Sequence, residues 1–428
     1  MQRRARILLV CPSEWERTAT ASPELQSQYE FIPCCEELYE PLGLWRALSF
    51  DAERYLQRVI AEQRGNSIDG ILAPGDYPGC IFGAYLAEHL GLKGPGTRET
   101  LLLSHKLYSR RIQRRFAPAA TPDFEAMEPL LVPWSLREPS GLAYPLFVKP
   151  VKGTMSIRAR MVHNRSELYE ALRFTPREWV DMHLLFLPCA QLLRRYEPNP
   201  VSPCSFIAEA PLRGQQITVD GFVQNGRATV MGIVDSIMYP GTMSFRRFEY
   251  PSTLPQPVQQ RMSEIAVRVM EGSGFDHSCF NMEMFYDAQR DHISIIEINP
   301  RMSYQFSDLF AHVDGMSSFA VQLQLALGKQ VHWPRRQGRF AVAASFVMRR
   351  FTDALVVSVP DQAQIDEVEQ RYPETQLNIL CAPGERLSDH DQDVGSYRYC
   401  IVNMAALSQE ELYANYSEVE KSLPFSFR

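Results

Sequence analysis

The sequence predicts a protein of mixed α/β and α+β class, divided into about three packed units. Its 428 residues exceed what one compact core accommodates, at a typical size of roughly 150 residues per domain. The first hundred residues alternate short apolar runs with amphipathic helical patterns, whereas the segment from 200 to 330 is rich in predicted strands. An α/β unit followed by strand-rich units accounts for this order.

Composition and charge narrow the range of partners. The chain is 45% hydrophobic and 22% charged, which suffices to fill sizeable cores in a soluble protein. With 44 basic and 50 acidic residues the net charge is −6, so no general field attracts nucleic acid or an anionic membrane. We expect neither as a partner. Any bound phosphate must then be held by local side chains and backbone groups.

The first apolar run, Ile7 to Val10, ends before Pro12. It is too short for a signal sequence or a membrane anchor, and it predicts a first buried strand. Nine cysteines follow no CxxC or Cys/His spacing, which predicts reduced thiols rather than a metal site. We therefore expect a cytoplasmic protein.

The N-terminal unit has the pattern of a small parallel sheet covered by helices. "ARILLVCP" and "SIDGILAPG" predict strands, while "DAERYLQRVIAEQRG" and "GCIFGAYLAEHLG" predict amphipathic helices that stop at glycine. The stretch "APGDYPG" follows a strand at the sheet edge where open α/β sheets bind ligands. Asp76 is therefore a candidate substrate contact, although an Asp before a tight turn also serves purely local structure.

A helix and a proline-rich connector mark the first domain boundary. "KLYSRRIQRRF" predicts a helix whose four arginines form a solvated face. We place the units at residues 1–115, 116–208, 209–335 and 336–428. The last unit is expected to be a separate sheet-rich lid or interface element without a chemical motif.

The segment "YPLFVKPVKGTMSIRARMV" predicts two strands joined by a turn. Lys149 closes the first strand, and the turn contains Lys152, Gly153, Thr154 and Ser156. Backbone amides and a lysine in such a turn can hold phosphate oxygens. Further on, "FIAEAPLRGQQITVDGFV" predicts a strand ending at Glu209, followed by backbone groups that can pair with a purine edge.

The strands "CFNMEMFYD" and "HISIIEINP" predict an antiparallel hairpin in which Glu283 faces Glu297. Like charges at opposed positions destabilise a sheet unless a positive group lies between them. That group can be Arg301 or a divalent ion, since two carboxylates and the Asn299 amide form a hard oxygen site suited to Mg²⁺. A solvent face with scattered polar residues is the plain alternative.

Five motifs, in this order, resemble the ATP-grasp superfamily of carboxylate-to-amine ligases, which includes L-amino acid ligases and biotin carboxylases. They are "SHKLYSR", "FVKP", a flexible loop, a Glu-containing hinge followed by Gly-x-Gln, and the pair "FNMEMFYD" and "IIEINPR". The resemblance covers roughly residues 70 to 330. It implies an ATP-grasp fold with a Rossmann-like N-terminal domain, a small subdomain carrying a phosphate flap, and a large subdomain carrying the metal site.

The resemblance also implies a role for each matched residue. Arg301 would stabilise an acyl phosphate, and Lys149 would share the catalytic role. Glu297 would bridge two Mg²⁺ ions, or Mn²⁺ in their place. The nucleotide contacts implied are Lys106 and Lys149 on the phosphates, Lys152, Gly153, Thr154 and Ser156 in the flap, Glu209, Ala210 and Leu212 on the adenine, and Gln216 near the ribose. The metal ligands implied are Glu283, Glu297 and Asn299.

Two stretches depart from the family pattern. The flap reads "KGTMSIRA" where many relatives have several glycines, and "MSYQFSD" follows Arg301 where many have paired glycines. The second stretch adjoins the acyl site, so the substrates of relatives are not carried over. Tyr304 and Gln305 are candidate substrate contacts only.

The resulting hypothesis is an ATP- and Mg²⁺-dependent ligase that joins a small carboxylic acid, such as an amino acid, to an amine. Phosphorylation by ATP gives the carboxylate a leaving group, and positioned cations neutralise the charge that develops. One alternative is a biotin-carboxylase-like enzyme that activates bicarbonate. Another is an ATP-binding regulatory module without turnover. A homodimer is compatible with any of these.

Overall fold

The structure is a computed structural model that describes residues 3–38, 49–130, 136–153, 158–390 and 395–428. Its N-terminal unit contains a parallel sheet of order β2-β1-β3. These strands are β1 (Ala5–Val10), β2 (Tyr29–Cys34) and β3 (Gly70–Leu72). The helices around them are α1 (Glu14–Thr20), α2 (Pro23–Gln28), α3 (Ala52–Gln63) and α4 (Gly79–Leu90). The predicted small parallel sheet is thus confirmed.

Local sequence signals explain the bounds of these helices. α3 begins after Asp51, whose carboxylate accepts the Arg54 backbone N–H at 2.9 Å, as a helix N-cap does. α4 ends at Gly91, which has φ +69°, the left-handed conformation that glycine adopts without steric cost. The strand β3 and helix α4 enclose the loop that carries Asp76, at the carboxyl edge of the sheet.

Two consecutive helices, α5 (Thr97–Ser104) and α6 (Lys106–Phe116), lead out of this unit. The solvated arginine face predicted for α6 is wrong at one position. Arg111, Arg114 and Arg115 are exposed, but Arg110 is only 1% exposed and lies inside the protein. Its ion pair with a buried acid, described below, accounts for the difference.

A four-stranded antiparallel sheet of order β4-β7-β5-β6 follows. Its strands are β4 (Phe124–Met127), β5 (Leu146–Pro150), β6 (Arg160–Val162) and β7 (Phe206–Glu209). Between β6 and β7 the chain forms α7 (Arg165–Leu172) and α8 (Pro176–Leu193). The predicted pair of strands around the lysine turn is confirmed, since Leu146 is paired with Val162.

The largest sheet has eight described strands in the order β12-β11-β8-β9-β10-β13-β16-β15. The strands that precede residue 335 are β8 (Gln215–Gln224), β9 (Arg227–Met238), β10 (Phe245–Tyr250), β11 (Ser278–Asp287) and β12 (His292–Asn299). The later strands are β13 (Val342–Arg350), β15 (Gln376–Ile379) and β16 (Tyr397–Ala406). The turn between β8 and β9 falls at Asn225 and Gly226, with φ +54° and +73°, as a tight hairpin requires.

Helices pack on both faces of this sheet. They are α9 (Gln256–Ser273), α10 (Ser307–Asp314), α11 (Ser318–Ala326), α12 (Gln362–Arg371) and α13 (Gln409–Ser422). Met262 of α9 packs in one buried cluster with Val219 and Met282 from neighbouring strands. The opposite face of β8, β11 and β12 carries polar side chains. Within the described ranges, no helix is both long and apolar enough to cross a membrane.

The C-terminal residues do not form their own main sheet, contrary to the prediction for 336–428. β13 is paired with β10, and β16 is paired with β13, so these strands extend the sheet that carries the hairpin of β11 and β12. Only β14 (Val356–Ser358) and β17 (Ser426–Phe427) pair apart from it. Alternating apolar runs predict strands, but they do not say which existing edge a late strand joins.

The shared sheet predicts that residues 336–428 cannot be removed as a unit. Deletion would expose the β10 edge and the buried residues Val234 and Phe248, which cluster with Ala343 of β13 in the full chain. We expect a 1–335 fragment to be insoluble or to lose cooperative thermal unfolding, because an unpaired apolar edge favours aggregation. Solubility and calorimetry of the two lengths check this. A fragment that melts as sharply as the full chain would contradict the shared sheet.

Candidate functional site

The loop after β3, the four-stranded sheet and the largest sheet line one cleft with a cavity of about 770 Å³. Asp76 lines it, and so does every residue that the structure describes among those predicted to bind nucleotide or metal or to act in catalysis. These residues are Asp76, Lys106, Lys149, Lys152, Gly153, Glu209, Ala210, Leu212, Gln216, Glu283, Glu297, Asn299 and Arg301. Thr154 and Ser156 lie outside the described residues. Positions from 76 to 301 thus converge on one space, which matches the predicted clustering.

The hairpin of β11 and β12 has the predicted register. Glu283 is paired with Glu297, and Asn281 with Asn299. Period-two alternation sends Met282 and Ile298 into the core, where they are at most 3% exposed. The acids therefore share the face that lines the cavity. The plain alternative, a solvated strand face, does not hold for this hairpin.

The two carboxylates differ in their partners. Lys106 Nζ lies 3.2 Å from Glu297 Oε2, whereas Glu283 accepts hydrogen bonds from Gln216 Nε2 at 2.9 Å and Asn299 Nδ2 at 3.4 Å. Burial, together with the charge of Glu297, raises the pKa of Glu283 to about 7. Burial also acts to raise the pKa of Glu297, but Lys106 and Lys149 outweigh it and hold that pKa below its usual value. Glu283 is therefore the acid whose charge is poorly compensated.

This donor set fits a hard divalent cation. A cation between the two acids would relieve the repulsion that the register imposes. Arg301 does not fill this place, because its Nη2 pairs with Asp76 Oδ2 at 3.2 Å. In the part of the chain that the structure describes, no group of three or more His, Cys, Asp or Glu forms a metal site. Two carboxylates and one amide suit Mg²⁺, which takes the rest of its shell from water and phosphate.

A buried ion-pair network underlies the cleft, and sequence reasoning missed its central residue. Arg110 Nε lies 2.6 Å from Glu209 Oε1, and Lys149 Nζ lies 2.9 Å from Glu209 Oε2. Arg110 also donates to the carbonyls of Ile295 and Ile296, each at 2.7 Å. Burial acts to raise the pKa of Glu209, but Arg110 and Lys149 lower it to about 2. Residues four apart lie on the same face of a helix, so the spacing of Lys106 and Arg110 could have indicated that Arg110 faces the site with Lys106.

Lys149 is not a surface residue. It is 5% exposed, and burial lowers its pKa, although Glu209 acts in the opposite direction. Since Lys149 neutralises a fully buried carboxylate, its removal would disturb the fold as well as any bound phosphate. The Glu209 side chain is likewise committed to this network, which leaves the backbone at 209 to 212 for contacts with a ligand.

The lysine turn is tied to the junction of α5 and α6. Lys106 Nζ donates to the Gly153 carbonyl at 2.8 Å, and Lys152 Nζ donates to the Ser104 carbonyl at 2.9 Å. The Lys106 backbone N–H donates to the Val151 carbonyl at 3.0 Å. Three lysines therefore lie around the same mouth of the cavity, at the base of the predicted flap. The cavity lining also contains the apolar side chains Phe147, Met161, Phe285 and Ile296.

The N-terminal sheet contributes Asp76 to the cleft. Its Oδ1 accepts the Tyr77 backbone N–H at 2.8 Å, and its Oδ2 pairs with Arg301. Burial acts to raise the pKa of Asp76, but Arg301 and Lys152 outweigh it and keep that pKa below the usual value. Asp76 thus presents a carboxylate beside the arginine, and the purely local turn role does not describe it.

Tyr304 and Gln305 lie outside the described cavity lining. The Tyr304 hydroxyl donates to the Trp15 carbonyl at 3.2 Å, and Gln305 Nε2 donates to Ser345 Oγ at 2.9 Å. Both residues tie the segment after Arg301 to α1 and to the sheet. The structure therefore shows them as packing residues of this segment.

Comparisons with known proteins agree with this geometry. Residues 142–307 match the family model described as an ATP-grasp domain. No curated protein sequence matches the chain. Residues 142–307 thus resemble an ATP-grasp domain, and the predicted resemblance to the ATP-grasp superfamily is confirmed.

Solved structures share the fold over the whole chain. L-amino acid ligase from Bacillus licheniformis matches with a TM-score of 0.72 and 18% identity, covering 100% of both chains. Biotin carboxylase from Campylobacter jejuni, solved as a β-γ-ATP complex, gives 0.65 and 14%, with 98% of this chain and 92% of that one covered. N5-carboxyaminoimidazole synthase from Aspergillus clavatus, with ADP and 5-aminoimidazole ribonucleotide, gives 0.63 and 12%, covering 98% and 99%. These likenesses establish the predicted ATP-grasp fold.

The raised pKa of Glu283 predicts an unusual pH dependence of the metal-free protein. Its folded pKa of about 7 exceeds the ordinary value, so the folded state binds more protons than the unfolded state between roughly pH 4.5 and 7. The contribution of Glu283 to stability is therefore lost as pH rises through this window. Glu283→Gln cannot lose a proton, so we expect its free energy of unfolding to fall by about 1–3 kcal/mol less than that of wild type over this pH range.

Melting temperatures from pH 5 to 8 without metal measure the effect. The Glu283→Gln curve should approach the wild-type curve near pH 5 and lie above it near pH 8. Glu264→Gln, on the exposed face of α9, is the control and should follow wild type. Parallel curves for wild type and Glu283→Gln would show that the acid is fully ionised without a cation.

Proposed function

We propose that this protein is an ATP- and Mg²⁺-dependent ligase that activates a small carboxylic acid as an acyl phosphate and joins it to an amine, releasing ADP and phosphate. The observation that carries the proposal is the half-buried pair Glu283 and Glu297, which lie opposite each other on neighbouring strands. The cations Lys106, Lys149 and Arg301 line the same cavity. Two opposed carboxylates destabilise a sheet when no cation lies between them. The same two carboxylates can bind a divalent cation, which gives the pair a function.

The chemistry follows in two balanced steps. An oxygen of the substrate carboxylate attacks the γ-phosphorus of ATP, the bond to the bridging oxygen breaks, and ADP leaves. The amine nitrogen then attacks the carbonyl carbon of the acyl phosphate, inorganic phosphate leaves, and the amine gives up a proton. Without the first step the leaving group would be oxide, so the amide could not form at neutral pH.

The side chains have the following proposed roles. Lys106 and Lys149 bind the phosphates of ATP and neutralise negative charge as the γ-phosphoryl group moves. Arg301 binds the carboxylate and then the acyl phosphate, with the two-point geometry of a guanidinium. Arg110 positions Glu209 through their ion pair, and Glu209 in turn positions Lys149. The backbone from Glu209 to Leu212 binds the adenine, and Gln216 lies toward the ribose.

Glu283, Glu297 and Asn299 would hold Mg²⁺, or Mn²⁺, and we propose two ions with Glu297 shared between them. When bound, such ions neutralise phosphate oxygens and orient the triphosphate. Lys152 and the following flap residues would cover the phosphates and keep water from the acyl phosphate. The substrates are small molecules; nucleic acid and membrane are not proposed as partners, and a cytoplasmic location remains a prediction.

Asp76 favours an amino acid as the substrate that is activated. Its carboxylate lies 3.2 Å from the Arg301 guanidinium, so opposite charges stand side by side on one wall of the cavity. An α-amino acid carries its carboxylate and ammonium on the same carbon, which suits adjacent Arg and Asp partners. The low pKa of Asp76 keeps it charged, so it would bind an ammonium rather than accept its proton. Bicarbonate, the substrate of the alternative reaction, has no ammonium group.

The product test decides between the enzyme hypotheses. We expect ADP and phosphate to appear only when an acid is supplied, and an amide when an amine is added. Glu297→Gln should lower the rate about 100- to 1,000-fold, because it removes a charge where the phosphoryl group is transferred. AMP and pyrophosphate would contradict an acyl-phosphate route. ADP formation that requires bicarbonate and biotin would favour the carboxylase alternative, and ATP binding without any turnover would favour the regulatory module.

The role of Asp76 is tested with matched acids. We expect Asp76→Asn to lower kcat/KM for alanine by about 10- to 100-fold, since a charge-assisted hydrogen bond is worth roughly 1.5–3 kcal/mol. Propionate, which lacks the ammonium, should lose little. Asp291→Asn removes a surface partner of Arg261 outside the cavity and is the control. An equal loss for both acids, or a loss confined to the acceptor amine, would contradict this assignment.

A further inference from the structure

A row of three polar side chains crosses the sheet beside the candidate metal site. Asp220 on β8 is paired with Asn281 on β11, and Asn281 is paired with Asn299 on β12. Asp220 Oδ2 accepts from Asn281 Nδ2 at 3.1 Å, and Asn281 Oδ1 accepts from Asn299 Nδ2 at 3.1 Å. Register and hydrogen bonds therefore link three adjacent strands in one line that ends at the cavity.

The hydrogen bonds of the row share one direction. Asn281 donates its NH₂ to Asp220 and turns its oxygen toward Asn299. Asn299 must then turn its own NH₂ toward Asn281. That NH₂ also donates to Glu283 Oε1 at 3.4 Å, which occupies both of its hydrogens. The Asn299 oxygen is left as the group that can serve a cation in the cavity.

The fold gains little from Asp220 itself. The residue is fully buried, and its Oδ1 has no hydrogen-bond partner among the residues that the structure describes. A buried carboxyl with one unpaired oxygen costs stability, so a role in packing does not explain it. The other oxygen, Oδ2, accepts from the Asn281 amide and so fixes its orientation. The Asn281 amide then fixes the orientation of the Asn299 amide.

We propose that Asp220 and Asn281 are positioning residues that orient the Asn299 carbonyl oxygen toward the divalent cation of the ATP site. The inference rests on the proposed function, because it takes Asn299 as a cation ligand. Partners that orient a metal ligand typically contribute 10- to 100-fold to metal affinity. The same scale is expected here, without any direct contact between the two residues and the ion or the substrates.

The chain offers a matched control for this row. Asn403 on β16 donates from Nδ2 to Asp308 Oδ2 at 3.1 Å, and Asn403 is 2% exposed. It lies five strands from Asn281 in the same sheet, or roughly 24 Å at about 4.8 Å per strand. Asp308→Asn and Asn403→Leu therefore make the same chemical changes in an Asp–Asn pair, with the Asn buried and the Asp half-buried, that does not line the described cavity.

The experiment measures uptake of Mn²⁺ by electron paramagnetic resonance, with a non-hydrolysable ATP analogue and no acid substrate. We expect Asn281→Leu to raise the Mn²⁺ dissociation constant at least tenfold. The isosteric Asp220→Asn should raise it several-fold. Asn281→Asp keeps an acceptor for Asn299 but loses the donor to Asp220, so its dissociation constant should lie between those of wild type and Asn281→Leu. The two control variants should leave the constant unchanged, although they are expected to lower the melting temperature.

Unchanged Mn²⁺ affinity in folded Asp220→Asn and Asn281→Leu would overturn the proposal, as would an Asn281→Asp loss equal to that of Leu. If Asn281→Leu does not fold, Asp220→Asn, which keeps the shape of the side chain, decides the matter. Wild-type protein that takes up no Mn²⁺ with the analogue would overturn both this inference and the proposed metal site. Normal Mn²⁺ uptake with the expected variant losses, but no ligase turnover, would overturn the proposed function alone.

Discussion

The repulsion between Glu283 and Glu297 is the constraint around which the rest of the site is arranged. Strand pairing fixes the two acids opposite each other, and the apolar residues between them fix the register, since a slip of one residue would bury both acids in the core. Lys106 compensates Glu297 directly, while the donors to Glu283 among the described residues are the amides of Gln216 and Asn299. The fold thus holds two repelling carboxylates together, and a divalent cation between them would stabilise the hairpin.

A second buried network supports this arrangement from below. Arg110 joins α6 to Glu209 on β7 and to the backbone carbonyls of Ile295 and Ile296 on β12. Burying three charged groups is favourable only when their donors and acceptors are closely matched, and here each Glu209 oxygen has a cationic partner. The network connects the four-stranded sheet that carries Lys149 with the large sheet that carries Glu283 and Glu297, so both sides of the cleft have a shared support.

Local patterns allowed much of the site to be predicted from the sequence. The hairpin register follows from alternation, which needs only Met282, Ile298 and the polar residues between them. Arg110 was assigned to solvent because a run of arginines usually is solvated, and its partner lies 99 residues away. Asp220 alternates with Val219 and shares a face with Gln216, yet that pattern does not reveal which strand lies beside it. The C-terminal strands were placed in their own sheet for the same reason, since edge pairing is decided by tertiary packing.

The described cleft is close to charge balance before any ligand enters. Its lining contains five cationic side chains and four acidic ones, and three of the cations, Lys106, Lys149 and Arg301, each pair with a different acid. A triphosphate accompanied by divalent cations brings charges that largely cancel, so it can enter without leaving an uncompensated charge inside the protein. A free triphosphate would instead have to take the cations from these pairs. The acids would then be unpaired and would repel the negative charge of the triphosphate. The pairing in the cleft therefore favours the metal complex of the nucleotide over the nucleotide alone.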